Sequence, residues 1–455
     1  MLRVSSVALC AFIFFPALIH AQHQEMPGMD MPSTPAHQHH QTSPMKMSMM
    51  SQPHTLIEAE LNHTSSGTTA EPASTPIPML MSHHGPWMLM LHGTAFLSDT
   101  QQSGPRGIDK FFSTNWLMPM TMRRLGPGQL TLRAMFSLEP ATVTGRQYPE
   151  LFQQGETAFG KPIIDGQHPH NFFMELAALY DIPLGKRTLL SFYAAPIGDP
   201  AIGPTAYPHR LSASEDPLAA LGHHQQDSTH IAYNVLTAGI TWRGLRFEES
   251  GFHGGEPSEQ RWQFQPSANG HSIDSYSSRF TFSPSPNWSG QYSIAHIVSP
   301  EALYPGEDQQ RQTASIMYNK PFGNTNSEGM RSGNWSSTLV WGRTLSGHSK
   351  ENSYLAESLL KFANNNYLWT RIENAGRSSE LLITPGRPLP PNFEEEPIGH
   401  VQAYTFGYDR DFRVAPHLLA APGAQFTSYT APDTLIPAYG HHPFGVVVFV
   451  RLRLH

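Results

Sequence analysis

The C-terminal segment FGVVVFVRLRLH (residues 444–455) alternates between two chemically different faces. One face carries Phe444, Val446, Val448, Val450, Leu452 and Leu454, and the other carries Gly445, Val447, Phe449, Arg451 and Arg453. Because successive side chains of a β-strand point to opposite sides of the sheet, this order predicts an apolar face opposite a face that becomes basic toward one end. Lipid on one side and water on the other is the setting of a strand in a transmembrane β-barrel.

Fifteen further segments with strand character precede this one. The predicted strands are 87–98, 109–123, 128–139, 171–184, 187–197, 229–243, 245–253, 272–283, 287–299, 310–321, 333–346, 352–363, 366–376, 399–411, 414–430 and 443–454. Short connections such as LGPG (125–128) and LGKR (184–187) alternate with long ones such as 140–170 and 198–228, although 322–332 is longer than this order predicts. Such alternation is typical of outer-membrane barrels, whereas the crossings of a β-sandwich disturb it.

The composition agrees with an exported β-protein. Charged residues make up 14% of the chain, against roughly 25% in a typical soluble domain. The formal net charge of −7, without a basic block beside the aromatic residues, argues against nucleic acid as a partner. Residues 1–21 predict a secretory signal peptide, with Arg3 before an apolar run and Ala21 at the cleavage point. Cys10 lies in that segment, so the mature chain would contain no thiol.

Residues 22–86 are predicted to form a disordered tail rich in methionine and histidine, because they show neither strand nor helix periodicity. Its richest part is HQEMPGMDMPSTPAHQHHQTSPMKMSMM (23–50). Thioether sulfur is a soft ligand for Cu(I), and imidazole binds Cu(I) and Cu(II). The predicted copper ligands of the tail are His23, Met26, Met29, Met31, His37, His39, His40, Met45, Met47, Met49 and Met50. A linker that is rich in methionine by coincidence is the alternative interpretation.

Further candidate ligands lie beside the first strand and in the long loops. PMLMSHHGPWMLMLH (78–92) contains His83 and His84 among several methionines, and the sequence supports metal binding and packing equally there. DGQHPHNFF (165–173) and GHHQQDSTH (222–230) supply the loop candidates His168, His170, His223, His224 and His230. Neighbouring hairpins would bring these together as a copper site at the barrel mouth. Alternatively, they are hydrogen-bonded anchors that fold the loops against the rim.

Catalytic patterns are lacking: the sequence has no Gly-x-Ser-x-Gly elbow, no His-Glu-x-x-His pair and no phosphate-binding loop, so we predict that the protein is not an enzyme. In architecture, the order of signal peptide, tail and barrel resembles the outer-membrane copper-resistance proteins of Gram-negative bacteria. Four segments are similar to a family of exported proteins from copper-handling gene neighbourhoods: DGQHPHNFFMELA (165–177), LGHHQQDSTHIAYNVLTAG (221–239), DSYSSRFTFSPSPNWS (274–289) and NWSSTLVWGR (334–343). That resemblance implies an outer-membrane barrel and a link to metal tolerance.

These observations together predict an all-β protein. Residues 87–455 would form a transmembrane antiparallel β-barrel of about 16 strands with long external loops, and the tail would lie in the periplasm. The predicted function is copper sequestration, or copper passage across the outer membrane, with outer-membrane lipid, copper ions and periplasmic copper-handling proteins as partners. A general porin with an incidental tail and a soluble secreted metal-buffering β-protein are the alternatives.

Overall fold

Sixteen antiparallel strands form one closed barrel. The computed structural model describes residues 52–227, 232–255, 259–264, 271–325, 331–347 and 349–455. The barrel strands are β1 Trp87–Gln102, β2 Lys110–Leu125, β3 Gly128–Phe136, β4 Phe173–Pro183, β5 Thr188–Ile197, β6 Ala232–Trp242, β7 Leu245–Gly254, β8 Ser275–Ser285, β9 Trp288–Ile297, β10 Gln309–Thr325, β11 Arg331–Leu345, β12 Lys350–Phe362, β13 Asn366–Ser378, β14 Pro397–Arg410, β15 Leu418–Thr430 and β16 Phe444–Leu454. Each strand pairs with its neighbours in the chain, and β1 pairs with β16 to close the ring. The predicted fold class and strand number are confirmed.

The connections separate onto two ends of the barrel. At one end, which we call the short-turn end, tight turns at 126–127, 184–187, 243–244, 286–287 and 363–365 join the strands. At the opposite end, the long-loop end, the loops 137–172, 198–231, 255–274, 298–308, 379–396 and 431–443 are much longer. The predicted alternation is not strict, because residues 103–109 between β1 and β2 and residues 346–349 between β11 and β12 form short connections at the long-loop end.

The barrel wall is apolar outside and polar inside. Val448 is 57% exposed, whereas Val447 and Phe449 beside it in β16 are 3% and 2% exposed, which confirms the predicted parity of this strand. Exposed aromatic side chains lie toward both ends, with Trp242, Trp288, Trp335 and Phe412 toward the short turns and Phe111, Tyr276, Tyr354 and Phe444 toward the long loops. Two aromatic girdles around an apolar band are the outer surface expected of a barrel in a lipid bilayer.

Helices contribute little to the described part of the chain. The α-helices are α1 Leu56–Asn62, α2 Glu139–Thr142, α3 His223–Gln226 and α4 Ile436–Tyr439, and single 3-10 turns occur at Thr144–Arg146, Leu211–Ala213, Ser379–Leu382 and Asp433–Leu435. Within the described residues, every helix is too short or too polar to cross a bilayer. Short strands outside the ring are Leu80–His84, which pairs with β1, Phe412–Ala415, which pairs with β15, and two small ribbons in the 137–172 loop.

Residues 52–79, which we call the lumenal segment, lie inside the barrel toward the short-turn end. The Thr241 hydroxyl donates to both oxygens of the Glu60 carboxylate at 2.8 and 3.0 Å. Arg133 in β3 donates to three main-chain carbonyl oxygens of the segment at 2.5–3.1 Å: those of His63, Ser65 and Gly67. Farther along, the Ser74 hydroxyl donates to the main-chain oxygen of Asn319 in β10 at 2.9 Å.

The predicted tail boundary is therefore wrong. Residues 52–86 contain a helix and a strand and bond to the inner wall, while residues 22–51 lie outside the described residues. The physical reason is that this segment is ordered by distant partners. Its backbone groups bond to arginine and hydroxyl side chains of the barrel wall, and such contacts leave no periodic pattern of apolar residues in the segment itself.

The long loops fill the other half of the lumen. Arg371 in β13 donates to the main-chain oxygens of Leu218 and Ala219 at 3.0 and 3.1 Å, and so holds the 198–231 loop inside the ring. Arg377 in the same strand donates to the main-chain oxygens of Phe152 and Leu221, which joins both large loops to the wall. The barrel is thus plugged from both ends by its own chain, as in transmembrane barrels whose interior is closed by loops.

Candidate metal centre

The 137–172 loop places Glu156 and His168 next to each other. Glu156 begins one of the two small ribbons of this loop, and His168 directly follows the other. The backbone N–H of His168 donates to Glu156 Oε2 at 2.7 Å, and the Gln167 side chain donates to Glu156 Oε1 at 2.6 Å. The carboxylate is therefore held in a defined orientation by the strand that carries the histidine.

His224 reaches the same carboxylate from the 198–231 loop. Helix α3 begins directly after Gly222, and a Cβ atom at Gly222 would lie 2.6 Å from the Cβ of Ser353 in β12. Glycine is needed there because the helix starts in direct contact with the barrel wall. From this position His224 Nε2 lies 3.0 Å from Glu156 Oε1.

Glu156, His168 and His224 form a compact set of metal-ligand atoms. One ligand atom of each residue lies within 4.8 Å of the other two. His168 Nε2 is 3.7 Å from Glu156 Oε1, and the two imidazole rings are 5.7 Å apart with an interplanar angle of 29°. Glu156 and His168 are 1% and 3% exposed. Two imidazoles and a carboxylate are ligands that suit a borderline metal ion such as Cu(II) or Zn(II).

Main-chain carbonyls select the tautomers of the neighbouring rings. His168 Nδ1 lies 2.9 Å from the carbonyl oxygen of Pro169, so Nδ1 carries the proton that it donates there, and Nε2 faces Glu156. His223 Nδ1 lies 2.9 Å from the carbonyl oxygen of Ala220 in the same way. Burial lowers the pKa of His223 to about 3, so this ring stays neutral at ordinary pH. In metal-binding histidines, one ring nitrogen binds the metal and the N–H of the other donates to a carbonyl or carboxylate. His168 and His223 already make the second of these contacts.

An acidic cavity adjoins His224 at the long-loop end. The cavity has a volume of about 80 Å³ and is lined by His224, Arg311, Arg377 and the carboxylates of Glu301, Glu351, Glu380 and Glu395. Burial raises the pKa of Glu380 well above its usual range, and the nearby carboxylates of Glu395 and Glu301 raise it further. Because Glu380 holds a proton near neutral pH, these crowded carboxyl groups gain from binding a cation in place of that proton.

His170 has a different carboxylate partner. Its Nδ1 lies 3.0 Å from both oxygens of Glu139 in α2. Burial lowers the pKa of His170, but the charge of Glu139 and its hydrogen bond outweigh this effect, and the net shift is upward. This contact matches the alternative interpretation of the loop histidines, in which hydrogen bonds anchor a loop.

The predicted ligands therefore have different positions. The structure brings His168 and His224 together, and the His223 ring centroid lies 4.0 Å from that of His224. His83 and His84 are exposed in the short strand before β1, and within the described residues they do not join this ligand group. His230 and the tail candidates from His23 to Met50 lie outside the described residues.

Glu156 was missed by the reasoning from sequence. It lies in QQGETAFG (153–160), where no neighbouring histidine marks it as a ligand. The signal that could have found it is the loop length, since a loop of this size in a compact barrel is expected to fold on itself or carry a function.

Comparison with known proteins gives this chain no family assignment. No protein-family model and no curated protein matches this chain. Solved porin structures match with low identity. The anion-selective porin from Comamonas acidovorans is 11% identical, with 81% of this chain and 100% of the porin covered and a TM-score of 0.47. OmpF from Salmonella typhi, solved with daunomycin, is 8% identical, with 82% and 100% covered and a TM-score of 0.48.

OprB from Pseudomonas putida gives a similar result, with 8% identity, coverage of 81% and 94%, and a TM-score of 0.46. At these identities and TM-scores the activities of the porins do not transfer to this chain. The resemblance to copper-handling proteins stays a hypothesis, because no family match supports it.

Proposed function

We propose that this protein is an outer-membrane β-barrel that binds copper and contributes to its sequestration or passage across the outer membrane. The observation that carries the proposal is the convergence of Glu156, His168 and His224, whose ligand atoms lie within 4.8 Å of one another. In this proposal the three residues bind Cu(II) at the long-loop end. The tail of residues 23–50 binds Cu(I) or Cu(II) in the periplasm and exchanges it with periplasmic copper-handling proteins.

The outer surface supports a membrane location. Outward-facing side chains such as Leu339 and Phe406 are 58% and 57% exposed, although they are large and apolar. Water-exposed patches of this kind are rare on soluble proteins. An apolar band between two aromatic girdles is stable when outer-membrane lipid covers it, which weighs against the soluble secreted β-protein.

The ligand chemistry favours copper among the divalent ions. For sites built from nitrogen and oxygen ligands, affinity rises along the first transition row to Cu(II) and falls again at Zn(II). The His168 and His224 rings bind without losing a proton when they are neutral, and Glu156 supplies one negative charge. The crowded carboxyl groups around the adjacent cavity gain from binding a cation, which assists capture at this end of the barrel.

The filled lumen weighs against a general diffusion porin. Arg133 and Glu175 in the inner wall are both 0% exposed in their side chains, because the lumenal segment covers them. Diffusion of ordinary solutes would require this segment and the long loops to leave the lumen together. A plugged barrel with metal ligands in its plug instead suits the binding of a small cation.

The proposal is tested by counting bound metal in a set of full-length variants. One variant carries H168N and H224N, a second replaces the tail histidines and methionines of residues 23–50 by Asn and Leu, and a third combines both. H441N serves as the matched control, because His441 is an exposed loop histidine. Each protein is equilibrated with Cu(II), and bound copper is measured by mass spectrometry and by electron paramagnetic resonance.

We expect H168N/H224N to lose about one copper ion and the nitrogen hyperfine signal of two imidazoles, and we expect H441N to bind as the wild type does. Unchanged copper binding in the combined variant would refute copper binding at both sites. If zinc displaced copper at equal concentration, the assignment of the metal would be wrong. Conductance across a planar bilayer before any unfolding of the plug would instead favour the porin.

A further inference from the structure

A cluster of buried methionines lies toward the short-turn end, where the inner wall meets the end of the lumenal segment and the short strand that follows it. Met88 and Met174 pack against the cluster. Its seven buried members are Met79, Met81, Met90, Met118, Met120, Met122 and Met135. We call these seven residues the methionine cluster. The strand register assembles it, because Met90 in β1 lies opposite Met81 on one side and opposite Met120 in β2 on the other.

Ordinary packing does not account for this composition. Eight methionines are buried in the described residues, and the cluster contains all of them except Met317. Its buried members include no leucine, isoleucine or valine, although Ile77 and Trp116 pack against them. The other hydrophobic clusters of the described residues are built from aliphatic and aromatic residues without any methionine. Methionine is flexible and specifies packing poorly, so a core made almost entirely of it is unusual unless the sulfur atoms are used.

Two histidines and a tryptophan border the methionine cluster. His92 lies opposite Met118 in the register of β1 and β2. Trp116, which packs against the cluster, stacks on the His209 ring with the centroids 4.4 Å apart, and the His92 and His209 centroids are 5.5 Å apart. His92 is 8% exposed, and its Nε2 atom is buried without a hydrogen-bond partner. A buried imidazole nitrogen in this state gains from binding a metal ion, because desolvation otherwise penalises it.

Space for an ion adjoins these groups. A cavity of about 120 Å³ is lined by His92, His209 and Trp116, among others. A smaller cavity of about 30 Å³ is lined by Met135, Met174 and His209 together with His223. His223 also contacts His224 of the metal centre. Histidine and methionine side chains therefore extend from the metal centre, past His223 and His209, to the methionine cluster.

We propose that the methionine cluster and His92 form a second metal site, which binds a soft monovalent cation, Cu(I), inside the barrel. Thioethers are neutral soft donors, so they bind Cu(I) without giving up a proton and hold a single positive charge in a dry environment. The site is separate from Glu156, His168 and His224, and it stands whether or not those residues bind Cu(II).

The test uses a full-length protein whose tail methionines and histidines are replaced by Leu and Asn, so that the tail does not bind the probe. In this background, M90L/M118L/M120L removes three thioethers from the cluster. Leucine has nearly the volume of methionine, so the barrel is expected to fold. M317L is the matched control, because Met317 is a buried methionine of the inner wall outside the cluster. Heat-modifiable migration on a gel confirms folding of each variant.

Binding is measured with Ag(I) and with Cu(I) under reducing conditions, in competition with a chromophoric chelator. The background protein and M317L should bind one ion, and M90L/M118L/M120L should bind it at least tenfold more weakly. H92N should weaken binding by a smaller factor. X-ray absorption of the Cu(I) complex should show sulfur ligands.

Equal affinity in the folded triple variant and in M317L would overturn the proposal, as would a Cu(I) spectrum without sulfur. The variant H168N/H224N should keep this Cu(I) site even if it loses Cu(II), and so the two proposals fail or survive separately. Loss of Cu(I) binding in H168N/H224N with retention in M90L/M118L/M120L would also overturn the methionine site.

Discussion

Arg133 is the main point at which the barrel wall holds the lumenal segment. Its guanidinium forms a bidentate ion pair with Glu175 in β4, at 2.6 and 2.8 Å, besides its three bonds to carbonyl oxygens of the segment. Glu175 in turn accepts from the backbone N–H of Gly67 and from the Tyr193 hydroxyl, each at 2.8 Å. We predict that R133M releases the lumenal segment while the barrel stays closed, because the strands keep their own hydrogen bonds.

The size of the effect follows from burial. The side chains of Arg133 and Glu175 are both 0% exposed, so removal of the arginine leaves a carboxylate unpaired in a dry environment. Removing one partner of a buried ion pair costs about 3–5 kcal/mol. If that cost falls on attachment of the segment, the open population rises by a factor between about 10² and about 4 × 10³, since each 1.4 kcal/mol is a factor of ten.

A glutamate-specific protease provides the assay. The lumenal segment contains no lysine or arginine, and its cleavable glutamates are Glu58 and Glu60, because Glu71 is followed by Pro72. Glu60 is buried, so cleavage after Glu60 reports opening of the segment. Cleavage of R133M should accelerate by the factor given above when opening is faster than cleavage. Arg124 is exposed at the end of β2, and R124M should be cleaved at the wild-type rate. Equal rates for R133M and the wild type would refute the assignment, whereas R133M/E175M should recover part of the loss.

Three further predictions concern the plug and the wall. Burial raises the pKa of Glu60 from 4.5 to about 7, and Arg246 and Thr241 offset this only in part. The folded state therefore binds this proton more tightly than the unfolded state does, so the free energy of unfolding should fall as the pH rises from about 4.5 to about 7. E60Q should flatten that part of the dependence of the melting temperature on pH, and an unchanged slope would contradict the reasoning. V448K should lower the unfolding free energy in vesicles by about 2–4 kcal/mol, because residue 448 faces lipid, and V448L should stay near the wild type. An unchanged unfolding free energy in V448K would contradict the lipid-facing assignment. G407A should destabilise the barrel by about 1–3 kcal/mol in urea titrations, because a Cβ atom at Gly407 would lie 2.1 Å from the Trp369 ring. If G407A were as stable as the wild type, the Trp369 ring would have to be free to move.

The sequence was sufficient for the barrel wall. The alternation in residues 444–454 and the placing of short turns such as 184–187 are local properties, because a strand exposes opposite faces with a period of two whatever its partner is. The predicted segments therefore coincide with all sixteen strands of the ring, apart from differences of a few residues at their ends. The short connection at residues 346–349 breaks the predicted alternation of loop lengths. The strands on either side of a loop do not constrain its length, so the strand pattern could not predict this exception.

The interior was decided by the tertiary structure. Residues 52–79 look like a continuation of the tail in sequence, yet Arg133 and Thr241 hold them from strands far away in the chain. Glu156 meets His224 across 68 residues of chain, as the numbering shows, and they meet because α3 packs against the wall at Gly222. The histidine motifs thus indicated which residue types were available for a metal, whereas the set of ligands depended on how two loops fold into one lumen. That arrangement is set by long-range packing and buried ion pairs, and neither leaves a local pattern in the sequence.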